Sequence, residues 1–254
     1  MRNILLTIRY NGVRYHGWQV QKNAVTVQGA LQDSAVRLFG KRPDFKGCSR
    51  TDSGVHANMF CVNFHTDSQI PVSRLPDAFN HFLPNDIVVY DATLVPDDFH
   101  ARYSCHGKEY KYIIQNSRFD NPFMQGLVYK YERPIDAQLL NTAAKKFIGT
   151  YDFSAFCAAN DSVEDHTRTI YDCNVSREME NIIVTISGDG FLYNMVRIIV
   201  GTLLFVNEGK ISAEDIQAII QSRDRSKAGP TVPPDGLYLN KVYYNFNEGD
   251  TNAG

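Results

Sequence analysis

The alternation of apolar and polar residues is the feature that most constrains the fold of this chain. Seven segments alternate with a period of two and are rich in β-branched and aromatic residues, which predicts strands. They lie near residues 3–10, 59–66, 86–95, 108–116, 169–176, 181–188 and 237–246. Helical patterns separate these segments, so strands and helices are mixed in both halves of the chain.

The helical patterns have recognisable ends. Thr26 is a predicted N-cap, and Gly40 is the stop of the helix that follows it. Further helices are predicted from about Ser73 to Leu83, from Asp136 to a stop at Gly149, over 192–207, and after Ser212, which opens a capping-box pattern. The segment 192–207 is apolar nearly all round, which predicts a buried helix.

Neighbouring strands with helices kept to one side predict an α+β architecture with two similar halves, each like a split βαβ unit. No long linker separates the halves, and the domain boundary is expected near Tyr103, between residues 1–103 and 104–254. The antiparallel sheets of the two halves are expected to join into one extended sheet. At 254 residues and 43% apolar content the chain can bury a substantial core. Function is expected in the longer irregular stretches. These lie at 11–25, 40–58, 117–125, 158–168 and 223–236.

The charge of the chain is nearly balanced but unevenly distributed. With 26 basic and 28 acidic residues the formal charge is −2, which excludes a uniformly cationic nucleic-acid binder. Residues 1–66 nevertheless hold nine basic and three acidic groups. Such a surplus can form a local basic face for a polyanion, or an ordinary solvated surface, and charge alone leaves both open.

No run of about 18 apolar residues occurs, so a membrane span is not expected. The N-terminal segment is typical of a strand rather than of a signal peptide, which predicts a cytoplasmic protein. The five cysteines are odd in number and form no CxxC pair, so neither a disulfide framework nor a zinc site is indicated. Buried thiols are predicted instead.

The loop Gly47–Ala57 is rich in small residues and places one carboxylate, Asp52, two positions from a guanidinium, Arg50. One interpretation is a simple turn, since aspartate caps its own backbone and glycine accepts positive φ. The other is chemical, because a nearby arginine keeps a carboxylate ionised, as a nucleophile or base requires. Small residues also let a bulky substrate approach the backbone. Local sequence leaves both interpretations open.

The run Arg50–Ala57, RTDSGVHA, resembles the RTDAGVHA signature of the TruA family of tRNA pseudouridine synthases. Further segments match the family in order, and they begin at Tyr10, Phe99, Lys108, Asp152, Gly190 and Ala228. Together they span nearly the whole chain, which favours the chemical interpretation of Asp52. Ser53, Tyr151 and Val232 depart from the family pattern, but none of these departures removes a catalytic group.

The resemblance implies a pseudouridine synthase fold with the active-site cleft between the halves. The implied reaction is isomerisation of uridine to pseudouridine at positions 38, 39 and 40 of the tRNA anticodon stem-loop, with no cofactor or metal. Asp52 matches the catalytic aspartate, which either attacks C1′ or removes the C2′ proton; both routes stay open. Tyr110 matches the tyrosine that stacks on the target base, and is also a candidate for handling the C5 proton. Arg197 matches the arginine paired with the aspartate. Arg50 matches the group that fills the space of the flipped base, and Leu237 matches an apolar contact beneath the site.

The implied partners are tRNA and a second copy of the chain, since the family acts as homodimers; neither DNA nor a membrane is expected. Phosphate contacts are expected from the basic N-terminal half. The candidates are Arg14, Lys22, Arg37, Lys41, Arg42 and Lys46. Two alternative functions remain: a tRNA-binding or folding-assistant protein that uses the same cleft, and a carboxylate hydrolase that releases free base from a nucleoside.

Overall fold

The computed structural model describes residues 1–159 and 163–245, and this part of the chain contains ten strands and five α-helices. The strands are β1 (Arg2–Tyr10), β2 (Lys46–Gly47), β3 (His56–Thr66), β4 (Ile87–Val95), β5 (Gly107–Gln115), β6 (Tyr129–Lys130), β7 (Gly149–Asp152), β8 (Thr167–Glu178), β9 (Asn181–Gly188) and β10 (Leu237–Tyr243). The helices are α1 (Val27–Phe39), α2 (Leu75–Asn80), α3 (Ala137–Ala144), α4 (Met195–Asn207) and α5 (Ile216–Ser222).

The seven predicted strands are confirmed as β1, β3, β4, β5, β8, β9 and β10. Two parts of the prediction lie outside the described residues: the end of the last strand at position 246, and residues 160–162 of the irregular stretch 158–168. Strands β2, β6 and β7 have two to four residues, too few for alternation to reveal. No helix in 1–159 or 163–245 combines the length and the hydropathy that crossing a bilayer requires.

The predicted caps at Thr26, Gly40 and Ser212 are confirmed, whereas α2, α3 and α4 are shorter than the sequence predicted. The Thr26 hydroxyl accepts from the Gly29 N–H, and Gly40 adopts the left-handed conformation with φ 69°. Ser212 caps as predicted, with a 3-10 turn before α5. Helix α3 ends at Ala144 and continues as a 3-10 turn, so it is shorter than predicted. Helix α4 is buried as expected but begins at Met195, because the preceding Asn194 is left-handed with φ 59°.

The chain divides into two compact units, Met1–His106 with the chain from Tyr238 onward, and Gly107–Leu237. The division predicted near Tyr103 assigned the whole C-terminal part to the second half. In the structure the last strand belongs to the first unit from Tyr238 on, where β10 pairs with the start of β3, and only its first residue, Leu237, belongs to the second unit. This pairing is parallel, whereas the long pairings of β1 with β3 and β4 are antiparallel as predicted.

In the first unit the strand order is β4-β1-β3-β10, with β2 beside β3. One sheet face carries Ile4, Leu6 and Ile8 of β1, all fully buried, and Phe64 on this face contacts Phe79 of α2. Residues opposite each other in the β1–β3 register share a face, so Leu5 and Asn63 lie on the other side. Leu5 and Asn63 on that second face are buried as well.

In the second unit the strand order is β5-β9-β8-β7, with β6 parallel to β5. Helix α3 packs on β8, where the Asn141 side chain accepts from the Val175 N–H at 2.9 Å. Helix α4 is buried along nearly its whole length, and its residues supply the second core together with Ile182, Val184 and Ile186 of β9. The mixed α+β class predicted from the sequence is therefore confirmed.

Candidate active site

Asp52 lies in the segment Cys48–Val55, called here the Asp52 loop, between β2 and β3. Its side chain is half-buried, and its backbone carbonyl accepts from the Val55 N–H at 3.2 Å, which closes a turn. Gly54 within this turn has φ 80°. The loop is therefore a turn that carries a half-buried carboxylate, and the chemical interpretation of Asp52 stays a prediction.

The segment Tyr10–Trp18, called here the strap, lies directly against the Asp52 loop. The Trp18 N–H donates to the Thr51 carbonyl at 3.1 Å, and the Gly54 N–H donates to the Tyr15 carbonyl at 3.2 Å. The Tyr10 and Thr51 hydroxyls are hydrogen-bonded at 2.8 Å. Hydrogen bonds at three points of the strap therefore fix the loop.

Two glycines make this close approach possible. A Cβ on Gly12 would lie 2.1 Å from the Val55 carbonyl oxygen, and one on Gly17 would lie 2.4 Å from the Thr51 carbonyl oxygen. Gly17 also has φ 85°, which side-chain-bearing residues rarely adopt. Both neighbours are backbone atoms that cannot rotate away, so any larger residue at these positions displaces the strap from the loop.

His56, the first residue of β3, is a further connection between the two segments. Its Nδ1 accepts from the Gly12 N–H at 2.9 Å, so the neutral imidazole carries its proton on Nε2. The ring is 1% exposed and stacks on Tyr238 with centroids 4.6 Å apart. His56 therefore has a structural role that depends on an unprotonated Nδ1.

The strap is itself anchored to the start of β4. The Tyr15 hydroxyl donates to Asp86 Oδ1 at 2.5 Å, and Arg14 forms an ion pair with the same carboxylate at 3.3 Å. Burial, followed by the hydrogen bond to Asp86, raises the pKa of Tyr15 above its usual value, so this phenol stays protonated. The support of the Asp52 loop therefore extends to the edge strand of the first unit.

Arg197 lies in the first turn of α4 in the second unit and is half-buried. Its Nε donates to the Val232 carbonyl and its Nη1 to Asn194 Oδ1, both at 2.7 Å. A cation at a helix N-terminus opposes the helix dipole, so two strong acceptors are needed to hold it there. Helix α4 thus presents one oriented guanidinium from an otherwise apolar surface.

The loop that carries Val232 is seated on α4 by two facing glycines. A Cβ on Gly201 would meet the Pro230 carbonyl oxygen at 1.8 Å, and one on Gly229 would meet the Gly201 carbonyl carbon at 2.4 Å. The Gly229 N–H also donates to the buried Thr202 hydroxyl at 2.8 Å. The helix and the loop therefore approach at backbone distance, which sets the position of the acceptor for Arg197.

Tyr110 points inward from β5 in the second unit and is 7% exposed. Its ring meets the Phe191 ring edge-on, with centroids 5.1 Å apart. Leu237 opens β10 and is 6% exposed. Among the predicted site residues, Arg14, Arg50 and Asp52 thus lie in the first unit, whereas Tyr110, Arg197 and Leu237 lie in the second; the roles predicted for them stay predictions.

The predicted phosphate contacts are all exposed, as such contacts must be. Four of them have carboxylate partners, in the ion pairs Arg14–Asp86, Lys41–Asp67, Arg42–Asp33 and Lys46–Asp44. Asp67 and Asp86 follow residue 66 in the chain, so counting charges along the sequence overstated the local surplus. Lys22 lies exposed in the irregular stretch after the strap.

Four of the five cysteines are buried as predicted, and Cys105 is half-buried. Burial raises the pKa of Cys61 and Cys173, which makes both poor nucleophiles. Within residues 1–159 and 163–245, no three histidine, cysteine, aspartate or glutamate side chains are grouped so that they could hold a metal ion.

Sequence reasoning predicted roles for Asp52 and its expected partners but missed the residues that hold the Asp52 loop. Gly12 and Gly17 belong to segments that match the family, yet nothing local to them indicates a close approach to a loop about 40 residues later. A glycine-rich stretch inside a predicted loop was the only available signal. Nor did the sequence indicate that the His56 ring accepts a hydrogen bond from the Gly12 N–H.

Comparison with known proteins identifies the family. A profile described as tRNA pseudouridine synthase matches residues 6–104 and 143–245. Proteins named tRNA pseudouridine synthase A from Thermoanaerobacter sp. (strain X514) and Acetivibrio thermocellus are each 48% identical over 244 residues, covering 96% of this chain and 100% of the relative. The protein of that name from Clostridium acetobutylicum is 43% identical over the same lengths. The chain therefore belongs to the tRNA pseudouridine synthase family.

Proposed function

We propose that this chain isomerises uridine to pseudouridine at positions 38, 39 and 40 of the tRNA anticodon stem-loop, with Asp52 as the catalytic carboxylate. The observation that carries the proposal is the fixed Asp52 loop, against which the strap packs at Gly12 and Gly17. A group that has to meet one carbon of a substrate gains rate from such preorganisation. A turn without chemistry would not need two backbone contacts that only glycine allows.

The reaction needs no cofactor because its atoms and electrons balance internally. The bond between uracil N1 and C1′ breaks, and its electron pair stays on the uracil. The base then turns and bonds to C1′ through C5, after which the C5 proton is lost and N1 is protonated. Asp52 either forms and releases an ester at C1′, or takes a proton from C2′ and returns it; both routes require an ionised carboxylate.

The other proposed roles follow the family resemblance. A base inside a stem must be extruded, at a cost of a few kcal/mol. Stacking on Tyr110 would offset about 1 to 3 kcal/mol of that cost, and the exposed Arg50 would fill the space left by the base. Arg197 would favour the ionised form of Asp52, and Leu237 would contact the base from an apolar side.

Arg14 and Lys22 are proposed to contact tRNA phosphates, and the chain is proposed to act as a homodimer. The ion pair of Arg14 with Asp86 is no obstacle, because the Arg14 side chain is 77% exposed and its guanidinium has further N–H groups that can donate to a phosphate.

The decisive experiment measures release of tritium from an anticodon stem-loop transcript that carries [5-³H]uridine. The wild-type chain is expected to release tritium, and Asp52→Asn is expected to lose at least about 10³-fold in rate, as for a residue that bonds to the substrate. Asp91→Asn is the matched control, because Asp91 is an exposed carboxylate of the same unit. Equal rates for wild type and Asp52→Asn would refute the proposal.

The alternative functions give different products. A tRNA-binding or folding-assistant protein would bind the stem-loop and release no tritium. A hydrolase would release free uracil, which chromatography of the reaction detects, whereas an isomerase releases no base.

A further inference from the structure

A turn at residues Phe99–Ser104, called here the 99–104 turn, is held by buried amides on the second face of the first sheet. Asn3 Nδ2 donates to the Phe99 carbonyl at 3.1 Å, and Asn63 Nδ2 donates to the same carbonyl at 3.0 Å. Asn63 Oδ1 accepts from the Ala101 N–H at 2.8 Å. Both asparagines are 1% exposed, and a buried amide is tolerated only when it is hydrogen-bonded.

Further hydrogen bonds complete the support of the turn. The Tyr244 hydroxyl donates to the Ala101 carbonyl at 2.6 Å. Within the turn, the Arg102 N–H donates to His100 Nδ1 at 3.1 Å, and the Ser104 N–H donates to the His100 carbonyl at 2.9 Å. Such a network of buried polar groups specifies one conformation of the segment above it.

The rigid turn displays three planar side chains. Tyr103 is 76% exposed, although large aromatic side chains usually bury their rings. The His100 ring lies 4.4 Å from the Tyr103 ring, and the Arg102 guanidinium lies 5.8 Å from its centroid. The hydrogen bonds of the turn involve neither the Tyr103 ring nor the Arg102 guanidinium, and the proposed reaction does not use them, so their display needs another reason.

Two cations, Lys46 and Arg102, lie near the His100 ring, together with the carboxylate of Asp44. The pKa of His100 is lowered, first by partial burial and next by the charges of Lys46 and Arg102. Lys46 is exposed, with Asp44 as its ion-pair partner at 2.5 Å. An exposed ring next to the exposed cations Arg102 and Lys46 suits a ligand that has both a flat π-surface and a negative charge, which is the chemistry of a nucleotide.

We propose that the 99–104 turn is a further RNA-contact site, where an unpaired base of the tRNA stacks on Tyr103 while an adjacent phosphate binds Arg102 and Lys46. The proposal rests on the proposed function, because it takes tRNA as the ligand. Aromatic stacking accepts any base, and an arginine beside the ring adds a charge that tracks the backbone. Because the turn is already rigid, binding orders little that was free before.

The test is the equilibrium binding of a fluorescently labelled, unmodified tRNA transcript, measured by anisotropy in the Asp52→Asn background so that the RNA is not converted. Loss of one stacked base is expected to raise Kd at least about fivefold in Tyr103→Ala. Tyr103→Phe retains the ring and is expected to bind nearly as the parent does. Tyr171→Ala is the matched control, since Tyr171 is a 52% exposed tyrosine of β8 in the second unit.

Arg102→Gln tests the phosphate contact separately. Removing one such contact is expected to reduce the slope of log Kd against log salt by about 0.7 to 0.9. Thermal unfolding of each variant verifies that the exposed substitutions leave the fold intact, and the asparagine network is unaltered in all of them.

Three outcomes would overturn the inference. Equal Kd values for Tyr103→Ala and Tyr171→Ala would exclude stacking on Tyr103. A Tyr103→Ala variant with unchanged RNA affinity and a changed oligomeric state in light scattering would assign the turn to a protein contact. If tritium release by the wild-type chain still depends on Asp52 in either case, the proposed function stands while this site fails. Absence of any tRNA binding would overturn both.

Discussion

Substituting Gly12 tests whether the strap determines the activity of the Asp52 loop. In Gly12→Ala the new Cβ would lie 2.1 Å from the carbonyl oxygen and 2.5 Å from the carbonyl carbon of Val55. Both are backbone atoms, so no side chain can rotate to relieve the contact. The strap and the loop have to separate by about 1 Å to reach an ordinary distance.

The expected magnitudes follow from this displacement. Overpacking costs about 1 to 3 kcal/mol of unfolding free energy. Loss of the Gly12 N–H bond to the buried His56 Nδ1 adds about 1 to 3 kcal/mol, because the acceptor stays out of water. For a chain of this size the sum lowers the unfolding midpoint by at least about 4 °C. A displacement of about 1 Å at a reacting group lowers the rate about 10²-fold.

The assay is single-turnover tritium release well below the unfolding midpoint, so that lost activity is not lost fold. Gly40→Ala is the control, because Gly40 has φ 69° and no atom lies within 4 Å of an added Cβ. This variant is expected to lose about 1 to 2 kcal/mol through backbone strain alone and to retain its rate. If Gly12→Ala also retained the wild-type rate, the strap would have no part in catalysis.

Three further predictions concern stability and assembly. Lys210, in an ion pair, and a hydrogen bond from Tyr131 lower the pKa of Glu208. The ionised carboxylate therefore stabilises the fold above the ordinary glutamate pKa near 4.5, and this stabilisation is lost as pH falls through the lowered value. Denaturant titrations should therefore show Glu208→Gln to be less stable at pH 7, with the difference shrinking below about pH 4.5; a constant difference would contradict the assignment. Thr202→Val leaves the Gly229 N–H without its acceptor and is expected to cost about 1 to 3 kcal/mol in the same titration, whereas an unchanged midpoint would show that the bond does not matter. Light scattering of the purified chain should give twice the 28.8 kDa of one copy, and a monomer mass at assay concentration would refute the proposed homodimer.

The sequence alone predicted the strands, the mixed α+β class and most helix caps, because these depend on short-range patterns. Thr26 and Ser212 cap as predicted since a hydroxyl at an N-cap reaches N–H groups two or three residues away. The predicted start of α4 failed at Asn194, whose left-handed backbone depends on what packs around it. The short strands β2 and β6 were not predicted, because two residues are too few to show an alternating pattern.

In the Asp52 loop, the local pattern of a carboxylate near a guanidinium among small residues left a turn and a chemical role open, and the resemblance to the family favoured the chemical role. Tertiary structure decided how these groups are held. Gly12 and the Asp52 loop are about 40 residues apart, and only folding brings Gly12 within 3 Å of His56. Likewise, Asn3 and Asn63 appear as ordinary strand residues until the sheet places both beneath one turn. Such contacts join positions that are far apart in the chain, so no local sequence pattern predicts them. The packing and the hydrogen bonds stabilise the fold only once both segments have been ordered.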